Sequence, residues 1–591
     1  KSDKHEALYN WGSALADQAR ALAQQDAQAA QAAWQLAGKK YAEALRIKPD
    51  MHEALHSWGS ALDDQARVMA QQDAQAAQAV WQLAGEKYAE ALRIKPDMHE
   101  ALHTWAITLA AQARVMAQQD AQAAQAVWQL AAEKYAEALR IKPDKHEALN
   151  NWGITLAAQA RALAQQDAQA AQAVWQLAGE KYAEALRIKP DMHEALHNWG
   201  ITLAAQARAL AQQDAQAAQA VWQLAGERYT EALRIKPDKH EALNDWGITL
   251  AAQASALAQQ DAQAAQAAWQ LAGEKYAEAL RIKPDTHEAL HNWGNALDDQ
   301  ASALAQQDAQ AAQAAWQLAG EKYIEALRIK PDEHETLHNW GNALDEQASA
   351  LTQEDAQAAQ AVWQLAGEKY IEALRIKPDK HEALNDWGIT LAMQASALAQ
   401  QDAQAAQAVW QLAGEKYAEA LRIKPDKHEA LNNWGNTLDD QARALAQQDA
   451  QAAQAVWRLA GEKYAEALRI KPDMHEALNG LGSVLLNQCH MSEDDNDKVR
   501  LLEQAEELIQ KGAEINRTEA LYNLACVYAM KRDKERCISY LEESRCAGVL
   551  PNQSHIDTDK DLNFVRQTPD FQVWYKSVFP TTSGVDVNIE Q

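Results

Sequence analysis

Apolar and small residues recur along this chain at helical spacing, and the blocks they form then recur themselves. From Met51 onward, Leu55, Trp58, Leu62 and Val68 share one helical face. Asp50 and Glu53 stand three residues apart just before that face, a spacing that predicts a capping box at the helix start. A second face follows in Trp81, Ala84, Tyr88 and Leu92, with Asp73 as its predicted cap and Pro96 as its stop. The segment therefore reads as a helical hairpin with arms of about 20 residues, each about 30 Å long.

The hairpin repeats. His-Glu-Ala-Leu returns at His5, His52, His99, His146, His193, His240, His287, His381, His428 and His475, and His334 opens the same phrase with Thr336 in place of Ala. The spacing is 47 residues, or 94 across the His287–His381 pair that brackets His334. Such a period predicts an all-α fold, a solenoid of antiparallel helix hairpins. Ten units fill residues 1–473, a divergent eleventh fills 474–515, an ordinary-length hairpin 516–550, and a capping segment 551–591. One hairpin cannot cover two Trp and a Tyr by itself, so neighbouring hairpins are expected to cover them. Of the 21 Trp, all but Trp574 occupy the two repeated positions, which favours core packing over ligand stacking. Ala106 and Ala132 replace the glycines of the third unit, so smallness rather than backbone freedom is what those positions need.

Composition narrows the function. The chain has 591 residues, a formal net charge of -27 and only 13 Pro and 23 Gly, which excludes collagen and Pro/Gly-rich disorder. No apolar run is long enough for a membrane span, and the acidic balance argues against nucleic acid as the main partner. Cys489, Cys526, Cys537 and Cys546 lack paired spacing, so no disulfide framework is expected and a cytoplasmic location is the default. Glycine-rich phosphate loops and nucleophile elbows are absent, and no cofactor is expected.

The order of large and small positions in Leu8-Tyr9-Asn10-Trp11-Gly12, Leu15, Ala37, Tyr41, Ala44 and Pro49 resembles the tetratricopeptide repeat family, with each unit 13 residues longer than that family's 34. Leu521, Leu524, Ala525, Tyr528, Cys537, Leu541 and Ser544 match it at ordinary length. Asp561 to Arg566 and Pro569-Asp570-Phe571 resemble the closing helix pair of its bacterial members. The resemblance implies a right-handed superhelical solenoid, a scaffold whose first helices line a concave wall where peptides bind. The N-terminal hairpin shows no cap of its own, which leads us to expect further protein upstream or another copy stacked there.

Comparison of the units with one another locates a surface. Their second helices are near copies, whereas the first helices differ at Tyr9/His56/Asn150, Asn10/Ser57/Asp245, Ser13/Ile154/Asn295, Ala16/Asp63, Asp17/Ala158/Met393 and Arg20/Ser255, which form one helical stripe. Asn10, Asn151, Asn198, Asn292, Asn339 and Asn433 recur on it. An amide ladder of this kind suits the backbone of an extended peptide. It would equally bond to the neighbouring repeat or to water. The pairs Asp63-Asp64, Asp298-Asp299, Asp345-Glu346 and Asp439-Asp440 add acidity that would favour a basic segment, solvated carboxylates being the alternative. No Lys sits in the middle of the stripe, which disfavours the clamp that related adaptors use for acidic tails.

His52-Glu53-Ala54-Leu55-His56 spells the HExxH metalloprotease signature, and it recurs at His99, His193, His287 and His334. Its repetition in the first turn of a structural helix, with Asn or Tyr alternating at the second His, argues against catalysis. The sequence thus points to a non-enzymatic scaffold for a protein or peptide partner. A filament or ring built by stacking of copies is the alternative, and a recruiting portion of a larger protein a further one.

Overall fold

A computed structural model describes residues 4–579 apart from 24, 165, 353 and 447. Among the described residues there is no strand. The helices are α1 (Lys4–Leu22), α2 (Ala27–Ile47), α3 (His52–Met69), α4 (Ala74–Ile94), α5 (His99–Met116), α6 (Ala121–Ile141), α7 (His146–Leu163), α8 (Ala168–Ile188), α9 (His193–Ala211), α10 (Ala215–Ile235), α11 (His240–Leu257), α12 (Ala262–Ile282) and α13 (His287–Leu304). They continue with α14 (Ala309–Ile329), α15 (His334–Leu351), α16 (Ala356–Ile376), α17 (His381–Leu398), α18 (Ala403–Ile423), α19 (His428–Leu445), α20 (Ala450–Ile470), α21 (His475–Met491) and α22 (Asp495–Ile515). The shorter α23 (Arg517–Met530), α24 (Lys534–Cys546), α25 (Gln553–Thr558), α26 (Asn563–Arg566) and α27 (Pro569–Val578) complete the chain. The protein is an all-α array of consecutive helix hairpins. It divides into two compact units, Lys1–Ala303 and Leu304–Gln591.

Local chemistry explains the hairpin ends unequally. Each second helix from α2 to α20 starts behind an Asp whose carboxylate accepts a backbone N–H three residues on, as Asp73 does from Ala76 at 2.8 Å. The first helices start differently. The expected Asp50–Glu53 capping box does not form: α3 begins at His52 behind Met51, without a side-chain cap, because the turn after Pro49 is closed by backbone bonds and by the buried Met51 side chain.

Packing within a hairpin is carried by the second-helix indole and phenol. Trp81 is buried with Ala66 of α3, and Ala84 and Tyr88 with Leu62 of the same helix. Gly59 is small because a Cβ there would lie 2.8 Å from the Tyr88 ring, and Ala106 meets Tyr135 at the equivalent place. The first-helix indoles are less hidden than the sequence suggests. Trp58 is half-buried, stacked on Tyr41 of the preceding hairpin at 6.5 Å between centroids, with the Lys87 ammonium 4.7 Å from its ring centre. Trp11, in the first described hairpin, is 52% exposed.

Within each unit the first helices also touch one another, α3 with α5, α5 with α7 and α7 with α9 in one, α15 with α17 and α17 with α19 in the other. Consecutive second helices do not approach each other in this way among the described residues. Each row of hairpins therefore bends with its first helices inside. At the C-terminal end, Ile556, Leu562, Val565, Phe571 and Trp574 close over Ala525, Tyr528, Cys537 and Leu541.

Candidate functional site

The variable stripe of the first helices does two jobs, and the structure separates them. Its first two positions stitch hairpins together. Side chains at the Tyr9 position reach the next hairpin's side chain at the Asn10 position. Tyr9 meets Ser57 at 3.3 Å, His56 meets Thr104 at 3.3 Å, and the Asn151 amide meets His103 Nε2 at 3.0 Å. Burial, aided by Lys145, holds His103 down at about 4, so its Nε2 is the acceptor. Asn198 donates to Asn150 at 3.1 Å, Asn292 to Asn244 at 3.1 Å and Asn433 to Asn385 at 3.2 Å. His197 meets Asp245 and His338 meets Asp386, each at 2.8 Å. Of the two roles left open for the asparagines, the bond to the neighbouring hairpin is the one these contacts display. Asn10 is exposed, and Asn339 is half-buried and partnered. Asn198, Asn292 and Asn433 each spend one amide N–H on this bond, and an Asn amide has a second N–H and carbonyl lone pairs to offer another partner.

The acidic pairs divide in the same way. The first Asp of a pair turns inward to the indole of its own hairpin: Trp81 donates to Asp63 at 2.9 Å, Trp363 to Asp345 at 2.9 Å and Trp457 to Asp439 at 2.8 Å. Arg67 and Arg443, one turn on, bind the other oxygen of Asp63 and Asp439 at 3.0 and 2.7 Å. Asp298 is half-buried and also partnered. Burial, with Glu346 adding to it, pushes Asp345 up to about 6. The second acid of each pair lies on the groove. Asp64 binds Arg20 at 2.5 Å, Asp299 accepts from Ser255 at 3.2 Å, and Asp440 is exposed. Only these second members are placed to meet a basic segment.

Where Ala replaces the inward Asp, the indole has no partner. Ala16, Ala110, Ala157, Ala204, Ala251 and Ala392 stand opposite Trp34, Trp128, Trp175, Trp222, Trp269 and Trp410, and all six indole N–H groups are buried without a hydrogen bond. The same hairpins carry the open part of the groove. A cavity of about 410 Å³ is lined by Arg114, Ile154, Ala158, Arg161, Asn198 and Ile201, and a neighbouring one of about 360 Å³ by Arg208, Ile248, Asn292 and Asp299. In the other unit a cavity of about 510 Å³ is lined by Ile389, Met393, Asn433, Asn436 and Asp440. The arginines stand outside the candidate residues read from the sequence, although their position lies on the variable stripe. Their signal was the Arg/Ser alternation at the last position of the stripe.

The HExxH stretches do not assemble a ligand set. His52 Nδ1 lies 3.2 Å from Glu53, while His56 spends its Nε2 on Thr104. Among the described residues, Cys526, Asp559 and Asp561 are the group whose ligand atoms lie within 4.8 Å of one another. Asp559 is already engaged there by the Tyr522 hydroxyl at 2.5 Å and the Asp561 N–H at 2.9 Å, and His490 binds Asp561, so the cluster laces α21 and α23 to the cap. Burial pushes the Cys526 thiol well up and Cys537 up to about 12, which leaves both as unreactive packing groups. No described helix is long and apolar enough to cross a membrane.

The architecture defines the class, an all-helical hairpin-repeat array. Within it, residues 324–429 match the family model described as plant-specific mitochondrial import receptor subunit TOM20. No curated protein matches the sequence. Among solved structures, a human IFIT1 dimer with PPP-AAAA aligns over 75% of this chain and 94% of its own, at 13% identity and a TM-score of 0.29.

Proposed function

We propose that this protein is a non-enzymatic interaction scaffold that takes an extended segment of another polypeptide along the inner face of its first helices. The observation that carries this reading is the lining of the cavities. The side chains that differ between hairpins, among them Ile154, Ala158, Arg161, Ile201 and Met393, are the ones that line them, whereas the second helices on the outside are near copies. Variation concentrated on a groove over an unvarying frame is what partner discrimination requires. Spare amide groups at Asn198 and Asn433 on the groove are suited to hold a peptide backbone.

The experiment is a random linear-peptide display screen against the full chain. Peptides selected on the wild type should be lost on Ile201→Glu and Met393→Glu and kept on Gln176→Glu, on the outer helix α8. Selection that survives both groove changes would overturn the reading.

A further inference from the structure

We infer that the groove of the first unit, across α5, α7 and α9, is an acceptor site for an acidic extended segment whose carboxylate side chains stand three residues apart. The inference rests on the scaffold reading and names the chemistry of the partner.

Three guanidinium groups carry it. Arg114, Arg161 and Arg208 occupy the same position on three successive first helices and are exposed on the groove. The other arginines at this position are neutralised: Arg20 binds Asp17 and Asp64, Arg67 binds Asp63, and Arg443 binds Asp439, while Ser stands there at 255, 302, 349 and 396. Along the middle three the carboxylates are replaced by Ala110, Ala111, Ala157, Ala158, Ala204 and Ala205. Among the described residues no salt bridge reaches Arg114, Arg161 or Arg208, and Arg208 meets only the Ile248 carbonyl at 3.4 Å. Desolvation by the surrounding groove wall, although both side chains stay open to solvent, and the neighbouring cations Arg67 and Arg161 pull Arg114 below the ordinary guanidinium range, and Arg161 is pulled down by the same desolvation and Arg208. A row of cations that mutually repel in a chain of net charge -27 is a site awaiting anions.

Spacing and lining select the anion. Packed helices lie about 10 Å apart, and an extended chain advances about 3.3 Å per residue, so successive arginines meet every third side chain. Between them Ile154, Ile201 and Ile248 offer half-buried apolar walls for the intervening residues. A nucleic acid fits less well. Asp299 follows the row and repels a continuous polyanion at that end, and the aromatic rings beside the cavities, Tyr182 and Tyr276, are buried and offer no open face for base stacking.

The test uses the full-length chain and fluorescence anisotropy of labelled ten-residue peptides with Glu at every third position and Ile or Ser between. Three other probes are the Gln counterpart, the Lys counterpart and a ten-nucleotide single-stranded oligoribonucleotide. Binding of the Glu peptide should exceed that of the Gln and Lys peptides by tenfold or more and weaken steeply with salt. It should fall at least tenfold in the triple variant Arg114→Gln, Arg161→Gln, Arg208→Gln and recover in the triple Lys variant. Circular dichroism checks that the variants stay folded. Equal binding of Glu and Gln peptides, or an unchanged triple Gln variant, would overturn the inference. So would a tighter complex with the oligoribonucleotide. Groove-dependent peptides from the display screen that carry no acidic residues would leave the scaffold reading standing while removing this one.

Discussion

Hairpins α7–α8 and α19–α20 are built on one plan and differ in a carboxylate. In α19–α20, Asp439 enters the core, accepts the Trp457 indole N–H at 2.8 Å and holds Arg443 at 2.7 Å. In α7–α8, Ala157 stands there, the Trp175 N–H is buried without a partner, and Arg161 is left facing the groove without a counter-charge. One side chain thus decides both the internal completeness of a hairpin and the charge it presents. Where an Arg stands one turn on, α3 and α19 with the Asp are satisfied within and neutral at that Arg, whereas α5, α7 and α9 with Ala carry an unpaired donor inside and an open cation outside; α1, also with Ala, pairs its Arg20 with Asp17 and Asp64 instead.

The largest expected consequence concerns the indoles themselves. Trp457→Phe removes a donor from a buried carboxylate and should cost about 3 kcal/mol, whereas Trp175→Phe loses only packing and should cost about half that. Amide hydrogen exchange of the two hairpins measures both, and equal losses would break the comparison. Converting one kind of hairpin into the other should come next. Ala157→Asp supplies the Trp175 acceptor and an i,i+4 partner for Arg161, so it should stabilise α7–α8 by about 1 kcal/mol after desolvation is met, while lowering affinity for the Glu peptide.

A pH effect follows at α15–α16. Asp345 titrates near 6 in the folded protein, above its ordinary value, so the folded state binds its proton more tightly than the unfolded state. The stability this confers is full below about pH 4, falls as pH rises through 6 and is gone at neutrality. Protection of α15–α16 should therefore drop between pH 4.5 and 7 in the wild type, and less so in Asp345→Asn, which keeps an oxygen for Trp363. The smallest effect is expected from Asn198→Ala, which loses one bond to Asn150 at a half-buried seam and should cost about 1 kcal/mol or less in the same exchange measurement.

Much of this was legible in the sequence. Helical spacing located the hairpins, Asp73 and its equivalents marked the second-helix starts, and unit-to-unit variation marked the groove. The Asp50 cap was misread because a capping box is a local pattern, and here the tertiary burial of Met51 decides where the helix begins. The split of Asp63 from Asp64 was hidden for a related reason. Adjacent residues on a helix point about 100° apart, and which of them enters the core depends on an indole 18 residues away on the other arm. The Arg161 cation was in plain view, but its freedom rests on what is missing beside it, and that needs coordinates.

The seam between hairpins has a consequence for how such a chain changes length. Its two sides draw on Tyr, His or Asn facing Ser, Thr, Asn or Asp, and almost any member of one set can donate to or accept from any member of the other. Unequal recombination that added or dropped one whole hairpin would bring together a new pair of the same kind, and the join would heal. The stitching stops where Asn432 faces Gly480, its amide oxygen buried with nothing to meet it. Copy number is therefore free to drift upstream of that point, and the groove can be lengthened or recharged a hairpin at a time without redesign of the fold.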